Sequence, residues 1–126
     1  MNITNAVADF GRSMGLQDFC LEPQGMVALE LQPGDVLTIE QAGEDLLVYR
    51  VLAVPYVAPS LLFNALKACN ARLQEGLGWQ LQVGLRGTGA DTALVFLYRL
   101  SGQGVSGRAI EQAIDMIERF RRGWSA

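Results

Sequence analysis

The chain has no histidine, a single lysine and only two cysteines among its 126 residues. Without histidine there is no Ser-His-Asp triad and no Cys-His nucleophile. Two isolated cysteines, Cys20 and Cys69, do not make a zinc site. The one lysine, Lys67, stands near Asn64 and Asn70 and reads as a solvated side chain rather than a base. Positive charge is scarce too: the net charge is −3. The arginines are scattered, and their one cluster, Arg119, Arg121 and Arg122, suits the negative end of a helix. A nucleic-acid reader would show a basic face with interleaved aromatics, so that class is excluded. No apolar run is long enough to cross a bilayer. Met1 to Gly15 alternates polar and apolar residues instead of forming the apolar core of a signal peptide. The expected location is cytoplasmic, with both thiols reduced. The expected activity is non-enzymatic, with no cofactor and no metal.

What is present is a chain that can fold. Half of the residues are apolar and 18% are charged, which places it outside the disordered class. Its length suits one domain, residues 1–126. Ile3, Ala6, Val7, Phe10 and Met14 recur at helical spacing, with Asn2 as cap and Gly15 as terminator. Met26 to Leu31 alternates, with Val27, Leu29 and Leu31 on one side. Val36 to Gln41 alternates again after the turn Pro33-Gly34-Asp35. Leu46 to Val54 is almost unbroken apolar sequence, as in a central strand or one covered on both faces.

A middle helix follows Ser60. Leu62, Ala65, Leu66, Cys69 and Leu73 form its stripe, and Leu61, Phe63 and Ala68 widen it beyond one face. A helix that apolar is either deeply buried or buried on two sides, and in a domain this small the second side suits another subunit. Cys69 on that face reads as a buried structural thiol. Trp79 to Arg86 and Thr92 to Leu100 form a hairpin around Gly87–Asp91. Ile110, Ala113, Ile114, Ile117, Phe120 and Trp124 make a last helical stripe, with Ser106 as cap and Val105 stapled to Ile110. The order is α-β-β-β-α-β-β-α, an α+β fold with a twisted antiparallel sheet and three helices.

One motif invites a different reading. Gly102, Gly104 and Gly107 spell G-x-G-x-x-G between a strand and a helix, as in a dinucleotide site. Such a site needs a second parallel strand and an acid about 20 residues further on, and no sequence remains for either. A glycine-rich turn is the better reading. What is left is surface: the first helix, and a first strand that is a candidate sheet edge able to accept an added strand.

The whole pattern resembles a class I type III secretion chaperone of the Tir-chaperone family. The likeness rests on the element order, the small acidic composition and the segment SLLFNALKACNARLQEGLGWQLQVGL, supported by TALVFLYRL and AIEQAIDMIERF. GDVLTIEQAGEDLL adds a likeness to the chaperones of the secretion gatekeeper protein, which work as heterodimers. The resemblance implies a homodimer, or a heterodimer with a related chaperone, built on Leu62, Leu66, Cys69, Leu73, Trp79 and Leu81. It implies binding of the N-terminal segment of a secreted effector or gatekeeper on Val7, Phe10, Met14, Val27 and Leu29. It also implies no catalysis. The competing reading is a small α+β ligand-binding domain or enzyme, recognisable by a deep pocket with convergent polar groups.

Overall fold

The computed structural model describes residues 2–33, 35–53, 67, 81–86 and 93–123. They form helix α1 (Ile3–Ser13), strands β1 (Met26–Gln32), β2 (Asp35–Ala42), β3 (Asp45–Ala53), β4 (Leu81–Arg86) and β5 (Ala93–Ser101), and helix α2 (Gly107–Gly123). The α+β class and the antiparallel sheet agree with the sequence reading. The expected middle helix lies outside the described residues, apart from Lys67, which is exposed.

The five strands make one sheet in the order β1-β2-β3-β5-β4, every neighbour antiparallel. β3 is central, which accounts for its apolar run. Leu46 and Val48 are fully buried on one face, and Leu47, Tyr49 and Val51 are half-buried on the other. β1 is an edge, as its alternation suggests, and β4 is the other edge. The register aligns Val27 with Ile39 and Val48, and Leu29 with Leu37. Arg50 stands opposite both Leu37 and Phe96. These residues therefore share one face of the sheet.

Both helices lie on that face. α1 packs on α2, and α2 packs on β3 and β5. Ile3, Val7 and Phe10 of α1 join Leu37, Ile39, Leu46, Val48, Leu94 and Phe96 of the sheet and Ile110, Ala113 and Ile117 of α2 in one core. Local signals set the helix ends. The Asn2 side chain accepts a hydrogen bond from the Asn5 amide at 2.7 Å. Ser106 Oγ accepts one from the Ala109 amide at 3.1 Å, and its carbonyl accepts another from the Ile110 amide at 3.1 Å. Val105 and Ile110 are both buried, as a hydrophobic staple requires.

The glycine-rich turn is a packing device. A side chain at Gly102 would overlap the carbonyl oxygen of Glu44 in the β2–β3 turn. A Cβ at Gly107 would stand 2.9 Å from the amide nitrogen of Phe10, so this glycine lets α2 start against the backbone of α1. Gly104 adopts φ +76, where only glycine is unstrained. Each glycine has a steric reason inside the fold.

Candidate functional site

The end of α1 builds the first wall of the site. Gly15 has φ +74. Its amide donates to the Arg12 carbonyl at 3.1 Å, and the Leu16 amide donates to the Gly11 carbonyl at 2.8 Å. This pair of bonds is a Schellman stop, which places an apolar residue just past the helix against the residue four from its end. Here those residues are Leu16 and Phe10. The chain then folds back. Phe19 stacks edge-on against Phe10, ring centres 5.7 Å apart, and only a glycine at position 11 leaves room, since a Cβ there would lie 2.6 Å from that of Phe19.

The floor is the β1 end of the helix-covered face of the sheet. Leu29 and Leu31 of β1 and Leu37 of β2 provide it, and Arg108, Glu111, Gln112, Ile114 and Asp115 of α2 provide the opposite wall. Together with Phe10, Met14 and Leu16 they enclose a groove of about 580 Å³. Met14 is 54% exposed and Leu31 46% exposed. Both large apolar side chains stand in this groove, so the exposed apolar surface among the described residues is gathered in one place rather than scattered, a mark of an interaction site.

Along the groove runs the edge of β1, which pairs with no other strand than β2 among the described residues. The Gly25 carbonyl accepts from the Gln41 amide at 2.8 Å, so Gly25 points inward to β2. Backbone groups alternate along an antiparallel strand, so those of Met26, Ala28 and Glu30 point outward. The Met26 carbonyl is already taken by the Glu22 amide at 3.0 Å, through the tight turn 22–25. Ala28 and Glu30 keep the outward edge positions, up to the irregularity between Glu30 and Gln32.

The residues expected to contact a partner separate on this geometry. Phe10 and Met14 line the groove together with Leu29. Val27 is half-buried one pleat away. Val7 is completely buried, and Phe10 is only 3% exposed. Phe10 therefore belongs to the core first: a narrow stripe on a helix laid against a sheet is consumed by the sheet, and only its last member, Met14, projects past it. Leu16, Leu31 and the α2 wall were not singled out from the sequence. Leu31 was detectable, because period-2 alternation puts it beside Leu29 on an edge strand. Leu62, Leu66, Cys69, Leu73 and Trp79 lie outside the described residues. Leu81 opens β4, opposite Tyr98.

No protein-family model matches the chain, and no curated protein sequence matches it. Solved structures do. A chain of the HopA1–SchA chaperone–effector complex superposes with a TM-score of 0.72 at 17% identity, covering 94% of this chain and 89% of that one. A chain of the ExsC–ExsE complex gives 0.70 at 18% identity, over 100% and 98%. A chain of the ExoU–SpcU complex from the type III secretion system of Pseudomonas aeruginosa gives 0.54 at 16% identity, over 90% of each. The fold is one also found in chains of chaperone–effector and type III secretion complexes. It is a fold with other users: YbjN of E. coli, proposed as a transcription regulator, gives 0.59 at 17% identity, over 90% and 84%. Within this fold, the groove and the edge of β1 lie side by side on the chain.

Proposed function

We propose that this protein is a type III secretion chaperone. In the bacterial cytosol it binds the N-terminal segment of a secreted effector or gatekeeper protein, keeping that segment soluble, extended and competent for secretion. The observation that carries this reading is the coincidence of an exposed apolar groove with an open strand edge, in a fold matched by chains of chaperone–effector complexes. An extended segment laid along Ala28 and Glu30 gains backbone hydrogen bonds, and its alternate side chains enter the groove over Leu29, Leu31 and Met14. Hydrogen bonds to the edge are indifferent to sequence; the apolar anchors supply selectivity. The protein acts as a single domain and as a dimer, homodimeric or paired with a related chaperone, through Leu62, Leu66, Cys69 and Leu73 with Trp79 and Leu81. It performs no catalysis and uses no cofactor.

The test compares the parent with Leu31→Asp in pull-downs from native cytosol. The parent retains a secreted protein through that protein's N-terminal segment; the variant, substituted at an exposed position, folds normally and loses it. Retention of the same protein by both, or retention of no secreted protein at all, refutes the assignment. The alternative of a small ligand-binding domain or enzyme draws less support, because the polar groups of the groove lie along one wall, on α2, and do not converge from several sides.

A further inference from the structure

α2 begins against the usual rule for helices. Its first turn holds no acidic residue and instead carries Arg108, at the end where the helix macrodipole is already positive. A cation there opposes folding slightly, and a residue placed against local stability is one to examine for function. Arg108 is exposed and lies on the groove wall, and it makes no ion pair among the described residues. Glu111, one turn on along the same wall, is likewise without an ion-pair partner among them, whereas Asp115 is held by Arg119 at 3.3 Å.

We propose that the segment bound in this groove carries an acidic side chain that docks on Arg108 at the start of α2, beside apolar side chains seated on Met14 and Leu31. The inference deepens the chaperone reading and rests on it. The groove floor of Leu29, Leu31 and Leu37 selects apolar residues without fixing where along the groove they sit. Arg108 fixes the position. A carboxylate at the helix start meets the guanidinium and the positive end of the helix together. Shifted one turn toward Asp115, the same carboxylate meets Glu111 and is repelled. The wall thus discriminates by position along the groove, and charges at such a rim act mainly on specificity and association rate.

The test needs no known partner. A random dodecapeptide display library is selected on the full-length protein, on Leu31→Asp and on Arg108→Gln. Peptides captured by the parent and lost on Leu31→Asp are those that use the groove. Among them, Asp or Glu next to apolar residues is expected to be enriched on the parent and to lose that enrichment on Arg108→Gln. A representative peptide is expected to bind Arg108→Gln about two- to fivefold more weakly. Its Asn or Gln version binds the parent equally weakly and is insensitive to the Arg108 change, and the difference disappears near 0.5 M salt. Groove-dependent peptides with no acidic bias, or with a bias that survives in Arg108→Gln, overturn the inference while leaving the chaperone reading standing. No peptide sensitive to Leu31→Asp removes the groove as a binding site and both proposals with it.

Discussion

Arg50 grips Asp35 with two parallel hydrogen bonds, Nε to Oδ1 at 2.7 Å and Nη2 to Oδ2 at 2.5 Å, while its remaining nitrogen, Nη1, reaches Glu118 of α2. The side chains are 11% and 3% exposed for Arg50 and Asp35, and 22% for Glu118. A central strand, its neighbour and the last helix are thereby tied at one point on the covered face of the sheet. Removing Arg50 from such a cluster takes away both of its charge pairs. Arg50→Met is expected to cost on the order of 3 kcal/mol in urea unfolding, because it removes the ion pairs to Asp35 and Glu118 from a largely buried site. Arg50→Met combined with Asp35→Leu is expected to recover part of that loss. Equal stability of parent and single variant would show that the cluster contributes nothing.

Phe10 in α1 and Met14 at its C-terminal cap lie one turn apart and should respond oppositely to the same substitution. Phe10→Asp places a charge in the core and is expected to cost on the order of 4 kcal/mol or more, giving an unfolded or aggregated product by circular dichroism. Met14→Asp, at an exposed position, is expected to shift stability by no more than about 0.5 kcal/mol. If the proposed function holds, it should nevertheless weaken capture of a secreted protein. Unchanged capture by a folded Met14→Asp protein would take Met14 out of the binding surface.

The glycines of the β5–α2 turn are expected to behave as steric positions. Gly107→Ala should cost about 1–3 kcal/mol, since the new methyl meets the backbone of α1 rather than a side chain that can swing away. Gly102→Ala should cost more, because it meets a carbonyl oxygen. Thermal melts measure both. A nucleotide raising the melting temperature of the parent would restore the dinucleotide reading and contradict this one.

The dimer prediction concerns the middle segment. Leu66→Asp is expected to convert a monodisperse dimer into monomer or aggregate, since the charge would be buried unpaired at the subunit contact. Size exclusion with light scattering decides it, and a stable parent monomer at micromolar concentration would rule the dimer out.

Much of the fold was legible because each strand carried its own period. Val27-Ala28-Leu29 and Leu37-Thr38-Ile39 alternate, and the unbroken run of β3 matches a strand with neighbours on both sides. Boundaries fell within about two residues for a related reason: Asn2, Gly15, Ser106 and the turn glycines act locally. The insertion of β5 between β3 and β4 was not legible, because strand order is fixed by contacts across the sheet rather than along the chain. Asp35 misled most. It follows Pro33-Gly34 and reads as a turn residue, yet it is 2% exposed and starts β2. Its burial depends on Arg50, a partner distant in sequence. The groove was half legible: Met14 and Leu29 belong to periodic stripes, whereas Leu16 is placed by a helix stop and Arg108 by the packing of α2 on α1.

The turn at 22–25, which occupies the Met26 carbonyl, has a consequence for the protein stored at high concentration. A long bare strand edge templates its own kind and drives chains into fibres. Here the Glu22 amide plugs one end of the edge, and the irregularity after Glu30 interrupts the other. Glu30, exposed between them, would face a like charge in many pairings with a second copy. The stretch left over, Ala28 to Glu30, is short and carries a charge, so this edge gives a second copy of β1 little to pair with.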